Sequence, residues 1–296
     1  MGTTAVLQAP RHRVADLLPS VTGALSFSCV DILTKVVYGA GMDVLTLLTL
    51  RGSIAVAILW TWLRLAPPAA WHPSRQRAIA LVLGVLLAIS TFELMEAIAL
   101  LPVSIAILAY FVYPLFTGIF GAALGVDRLG WRALLTAFAA FSGLALMLGA
   151  HFTDLSMLGI VSAFVAAICR VASLILTRAF LNGTDARVTT WYSMVPSTLI
   201  FVLASLYVGA WSLPETGAGW GAFVGISVCS TLSTLLVYIS TNRIGPFSTA
   251  LVMNLEPMAT TLASVLLLNE VLSPLQTIGA GVMIVSLCAF QFAKAR

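Results

Sequence analysis

Seven charged side chains, Asp31, Lys35, Arg51, Glu93, Glu96, Arg170 and Glu256, stand inside long apolar runs. A charge near the centre of a membrane-spanning helix costs at least about 2.5–3.5 kcal/mol, so each is a candidate for binding, ion movement or helix locking. Ser28, Asp31, Lys35 and Tyr38 are spaced by three, four and three residues and so share one helix face; Glu93 and Glu96 share another. Asp31, Lys35, Arg51, Glu93 and Glu96 read as a group in the outer half of the bilayer. They line a cavity or, as the pairs Asp31–Lys35 and Arg51–Glu96, only lock helices together. Tyr113 and Glu256 each precede a proline, Pro114 and Pro257, which removes a backbone donor and kinks a helix, leaving carbonyls for a ligand. Tyr110 and Met253 lie one turn earlier on the same faces, so the four form a candidate pocket. Arg170 suits a substrate carboxylate or a partner such as Glu256. Ser227, Ser230, Thr231, Thr234, Tyr238 and Thr241 recur at three- and four-residue steps; such a stripe serves a polar solute or bonds to its own helix.

The elements that hold these residues follow from composition. The chain has 296 residues, 60% of them hydrophobic and 9% charged, and its mean hydropathy is +1.05. Soluble domains carry about 25% charged residues, so that class is excluded, as is disorder. Apolar runs and breakers give ten helices, over 16–40, 44–63, 78–100, 103–124, 131–149, 155–178, 188–209, 219–241, 246–268 and 274–293. Continuous apolar runs exclude the alternating segments of a membrane barrel. The expected fold is an all-α membrane protein of ten transmembrane helices.

Arginine and lysine set the orientation, because cytoplasmic loops retain them. Arg11, Arg13, Arg64, Arg75, Arg77, Arg128, Arg132, Arg178, Arg187, Arg243, Lys294 and Arg296 fall on one side, twelve of fifteen basic residues, and the loops of the other side have none. Both termini are therefore expected in the cytoplasm. Arg11 and Arg13 before an apolar run outline a signal peptide, but the length of the run and its Asp31 and Lys35 make it a retained first helix. The seven tryptophans sit at or just beyond span ends, as interfacial belts require. The four cysteines lie in four different runs and read as buried apolar residues. Scattered basic residues do not suggest nucleic acid.

The sequence repeats itself at an offset of 143: Ile32-Leu33-Thr34-Lys35 meets Ile175-Leu176-Thr177-Arg178, Pro114 meets Pro257, and Asp127 and Leu129 meet Glu270 and Leu272. Five helices is an odd number, so the second copy enters the membrane from the opposite side. The organisation is a cytoplasmic N-terminal segment over 1–15, repeats over 16–149 and 150–293, and a cytoplasmic C-terminus over 294–296. Inverted repeats characterise secondary transporters, with the substrate near the midplane. Two five-helix units, a proline in the fourth helix of each and an acidic-x-Leu ending resemble the EamA branch of the drug/metabolite transporter superfamily. Leu268-Asn269-Glu270-Val271-Leu272 approaches that family's Leu-Gly-Glu-x-Leu ending, and Leu124-Gly125-Val126-Asp127-Arg128-Leu129 departs from it by Asp for Glu and a displaced glycine. The resemblance implies a ten-helix inner-membrane carrier, commonly an exporter of amino acids or other small metabolites.

His12, His72 and His151 lie in the N-terminal segment and loops, and HExxH, GxSxG and P-loop patterns are missing, so the chain is not expected to be an enzyme or to need a cofactor or metal. The expected activity is secondary transport of a small polar metabolite, an amino acid or similar, by alternating access. Glu256 or the Glu93/Glu96 pair is the candidate proton site. An uncoupled facilitator, a membrane-embedded enzyme and a receptor are the alternatives. Thirteen arginines against two lysines, with much alanine, point to a GC-rich bacterial gene and so to a bacterial cytoplasmic membrane.

Overall fold

A computed structural model describes residues 14–101, 103–127, 130–148, 155–209, 211–268 and 273–294. The chain forms α1 (Val14–Gly39), α2 (Val44–Leu65), α3 (Ser74–Leu100), α4 (Val103–Tyr110), α5 (Tyr113–Ala123) and α6 (Trp131–Leu148). It continues as α7 (Met157–Phe180), α8 (Ala186–Val208), α9 (Gly217–Ile244), α10 (Pro246–Val252), α11 (Leu255–Leu268) and α12 (Pro274–Lys294). The described residues include no strand. Eight helical stretches among them are long and apolar enough to cross a membrane, and the apolar helix Pro274–Ala289 is shorter. The acidic-x-Leu ending at Glu270, the residues Arg128 and Leu129, and His12 and His151 lie outside the described residues.

Local chemistry sets the helix ends. The side chains of Asp43, Ser156, Asp185 and Thr216 accept first-turn backbone N–H groups at the starts of α2, α7, α8 and α9, which satisfies donors that have no partner within the helix. Gly209 and Gly245 end α8 and α9 with φ of +70° and +89°, a conformation that a side chain resists.

The expected single helices over 103–124 and 246–268 are each two helices in the structure, broken at 111–112 and 253–254. Proline explains both breaks: its ring displaces the carbonyl four residues earlier, which is that of Tyr110 for Pro114 and of Met253 for Pro257. The helix restarts just before each proline. The carbonyl of Met253 is taken up by the amide of Glu256 at 2.9 Å, so at this break it is not left for a ligand.

The two halves of the chain are built alike. Ser74 and Gly217, Val103 and Pro246, and Trp131 and Pro274 begin helices, and each pair is separated by the repeat offset. Contacts follow the same rule: α1 packs on α9 while α7 packs on α3, and α2 and α6 each pack on their own counterpart, α8 and α12. Glycine permits the closest of these approaches. A Cβ at Gly143 would stand 2.8 Å from the Gly279 carbonyl oxygen, and one at Gly279 would stand 2.6 Å from the Gly143 carbonyl oxygen. Outward faces are apolar, with Phe138 60%, Leu203 58% and Val285 68% exposed. Hydroxyl residues such as Ser20, Thr49, Thr117 and Ser193 are buried instead. This distribution suits a solvent of lipid chains.

Matching loop contacts hold the ends of the α2–α8 pair. The Asp43 amide donates to the Ser212 hydroxyl at 2.7 Å, and the Asp43 carboxylate and Thr46 hydroxyl accept from the amide and hydroxyl of Ser212 at 2.8–3.3 Å. At the opposite end of the pair, Thr189, the repeat counterpart of Thr46, bonds to His72 Nε2 at 2.8 Å. Burial works against the charge of Asp43, but hydrogen bonds from Thr46 and Ser212 outweigh it and hold its carboxyl below the ordinary 3.8. Burial pushes His72 below its ordinary 6.5, although Asp185 draws it the other way.

The glycine contact gives a direct test. Gly279→Ala forces a methyl group into the backbone of α6 and should lower stability by about 1–3 kcal/mol. Gly281→Ala, where a Cβ meets nothing within 4 Å, should leave the melting temperature in detergent unchanged.

Candidate functional site

Arg170 lies thirteen residues from the start of α7 and ten from its end, about 15–20 Å from either end at the helical rise. Its guanidinium carbon stands 5.9 Å from the ring centres of Phe27 on α1 and Tyr113 on α5. Its Nε is buried with no hydrogen-bond partner. The charge is felt by Glu256 on α11, Tyr110 on α4, Tyr113 and Tyr238 on α9. No carboxylate approaches within ion-pair distance, since Arg187–Asp185 is the ion pair found among the described residues. A cation left in this condition is stabilised by aromatic faces and by longer-range attraction, and it keeps donors for a further anionic group.

The proline breaks bring the other groups to this level. Tyr113 opens α5 and Glu256 lies in the first turn of α11, each ten residues beyond the start of its broken pair. Tyr110 and Tyr113 have ring centres 5.4 Å apart, and Met253 packs in the same core with Tyr113. Tyr110, Tyr113, Met253, Glu256 and Arg170 are thus gathered around one point, as the sequence suggests. Tyr238 joins them from α9 and is also linked to Ser193 on α8.

Asp31 belongs to this site. Thr260 donates its hydroxyl to Asp31 Oδ2 at 2.9 Å, and the Asp31 charge acts on Glu256 and Tyr110. Its side chain is exposed, yet the neighbouring helix α11 holds its carboxylate through Thr260. The two facts agree if Asp31 lines an opening within the bundle and not the outer wall. The expected pairs Asp31–Lys35 and Arg51–Glu96 do not form within 4.0 Å. Arg51 neighbours Tyr38 instead, and Glu93 lies near Cys169 of α7. Helix packing separates these groups: α1 turns Asp31 towards α11, while α3 carries Glu93 against α7.

The hydroxyl stripe of α9 is turned onto its own backbone. Ser230 donates to the Ser227 carbonyl at 3.3 Å and Thr234 to the Ser230 carbonyl at 2.9 Å, while Ser227, Thr231 and Thr241 do likewise. Their protons are therefore spent within the helix, and of this stripe Tyr238 alone reaches the arginine. Ser230 and Thr234, candidate pathway residues by sequence, keep only their acceptor lone pairs for a solute.

Towards the end that carries Arg178 and Arg243 the bundle is shut. Ser20, Ser240 and Thr249 are fully buried and linked across α1, α9 and α10. Arg178 binds the Asn242 carbonyl, and Asn242 donates to the Leu181 carbonyl at 3.2 Å. Asp127 Oδ2 accepts from the Phe247 amide at 3.3 Å, joining the end of α5 to the start of α10. Towards the other end, Asp31, Lys35 and Tyr38 are exposed along one face of α1. Phe27 and Thr260 are site residues that side-chain chemistry did not select. Phe27 was accessible through the repeat, since it is the counterpart of Arg170 at the common offset.

Arg170→Met tests whether the buried guanidinium serves stability or a ligand. A desolvated cation without an ion-pair partner contributes little to folding. The variant should therefore melt at or above the temperature of the unaltered protein, and a fall of several degrees would show a structural role.

Residues 157–290 match the model of the EamA-like transporter family. A solved structure described as "Crystal structure of protein" aligns over 94% of this chain and 98% of its own, with a TM-score of 0.80 and 19% identity, which shows a shared fold. No curated protein matches the sequence. The stretch from α7 into α12 is therefore similar to an EamA-like transporter domain, and the apolar helices are those of a multi-pass membrane protein.

Proposed function

We propose that the chain is a secondary transporter, an exporter, that moves a small polar metabolite of the amino-acid type by alternating access through the site around Arg170 and Glu256. The observation that carries this reading is the mid-helix guanidinium of Arg170, which has an unpartnered Nε and stands among three tyrosines and a carboxylate where two broken helices meet. Discontinuous helices at the level of a binding site are the transporter device for presenting polar groups in a membrane. Arg170 suits a substrate carboxylate, and Asp31 and Glu256 suit an ammonium group or a proton.

Ten crossings complete the architecture: the eight apolar stretches, the broken pair α10–α11 and α12. Five per half invert the second repeat against the first, so the common offset between their helix starts becomes a pseudo-twofold lying in the membrane plane. The arginine distribution supports cytoplasmic termini, and the excess of arginine over lysine with much alanine supports a bacterial cytoplasmic membrane. In that orientation the shut end of the site faces the cytoplasm, and the exposed face of Asp31 looks outwards. Rocking of one repeat against the other exchanges the two.

Radiolabelled amino-acid flux into proteoliposomes, over neutral, aromatic and charged species, tests the reading. Accumulation above equilibrium should require an imposed pH gradient. Glu256→Gln should reduce that accumulation at least about tenfold while leaving substrate exchange in place. Unchanged gradient dependence in Glu256→Gln would remove the coupling role, and equilibration without a gradient in the unaltered protein would identify a facilitator. Absence of flux for every species would contradict the substrate class.

A further inference from the structure

Three tryptophans meet at the arginine-rich end, where the last turns of α2, the loop after it and the start of α8 come together. Trp60 lies 5.1 Å from Trp191 with the rings stacked, and Trp71 lies 6.2 Å from each. Arginines rest on aromatic rings around them: Arg64 on Trp60 at 5.2 Å, Arg187 on Trp62 at 5.3 Å, and Arg75 on Phe180 at 5.2 Å. Arg187 has a carboxylate partner in Asp185. Arg64, Arg75 and Arg77 are exposed and have none within 4.0 Å. Trp60, Trp62 and Trp71 retain 39%, 43% and 44% of their surface.

The start of α3 sharpens the charge. Helix starts favour acidic side chains and a capping oxygen, because their first N–H groups point outwards unpaired. Here Pro73 provides no side-chain cap, and Arg75 and Arg77 follow it directly.

The second half of the chain is an internal control. At the repeat offset, Trp60, Arg64, Trp71, Arg75 and Arg77 correspond to Leu203, Tyr207, Pro214, Ala218 and Trp220. Those residues occupy the matching places on α8, the next loop and α9, and none is basic, so the scaffold forms without the arginines. Retaining basic residues on one side of a membrane sets topology, but it does not require guanidinium groups to be parked on rings beside an uncapped helix.

We propose that this face binds the headgroup of an anionic phospholipid. Arg64 and Arg75 hold the phosphate, which guanidinium groups engage through paired donors, and Arg77 adds positive charge at the same helix start. Trp60, Trp62 and Trp71 lie along the glycerol region, where indole rings settle at a membrane boundary. The half-exposed apolar rings favour a lipid over a free phosphate, which would leave them in water.

Native mass spectrometry of the full chain in detergent tests this, with phosphatidylglycerol and phosphatidylcholine as probes and glycerol phosphate as a soluble competitor. Phosphatidylglycerol should be retained in preference to phosphatidylcholine. Arg64→Gln should weaken its retention about fivefold, and the combined R64Q, R75Q and R77Q variant should lose the preference. Replacing Arg243, a basic residue outside the cluster, should leave it intact. Equal retention of the two lipids, or a preference that survives the triple variant, overturns the proposal; displacement by glycerol phosphate overturns the lipid assignment. Should the triple variant fail to insert, Arg64→Gln and Arg75→Gln singly decide the matter.

Discussion

A guanidinium in the middle of a helical bundle, resting on two aromatic faces without an ion-pair partner, constrains everything around it. Arg170 has to be kept from lipid, which requires neighbours on every side, and has to be stabilised without being neutralised. Phe27 and Tyr113 supply faces, and Tyr110, Tyr238 and Glu256 supply dipoles and charge at longer range. A direct Glu256–Arg170 pair would satisfy the charge and leave little for a solute. The proline breaks in the two split helices set Tyr113 and Glu256 at the level of the arginine, and the packing of α1 on α9 and α11 brings in Asp31.

The repeat clarifies where chemistry was added to scaffold. Positions related by the common offset share helix starts and packing partners, so differences between them are not demanded by the fold. Phe27 against Arg170, Tyr110 against Met253 and Tyr113 against Glu256 are three such differences, and all six side chains meet at one place. Thr46 and Thr189 show the contrary case, two like residues that hold matching loops at opposite ends of α2 and α8.

Helix positions were legible in the sequence to within a few residues, because apolar runs, capping side chains and glycine mark them locally. The splitting of 103–124 and 246–268 was half legible. Pro114 and Pro257 announce a disturbance, but whether a helix bends or stops depends on whether the packing around it accepts an interruption. The gathering of Tyr110, Tyr113, Met253, Glu256 and Arg170 could be read because repeat and depth both point to it. The partners of Asp31 could not, since Lys35 lies one turn away in sequence while Thr260 is 229 residues distant. Ser230 and Thr234 show another limit: a hydroxyl that lines a pathway and one that bonds its own helix have the same spacing.

The central claim is that one site, between Asp31 and Arg170, opens in turn to either side of the membrane. Alkylation of Thr260→Cys, in a chain otherwise free of cysteine, by a membrane-impermeant reagent in vesicles of both orientations measures this most directly. Modification from both sides, slowed by a transported solute, is the predicted result. Modification from one side alone under all conditions, or indifference to every solute, would contradict it.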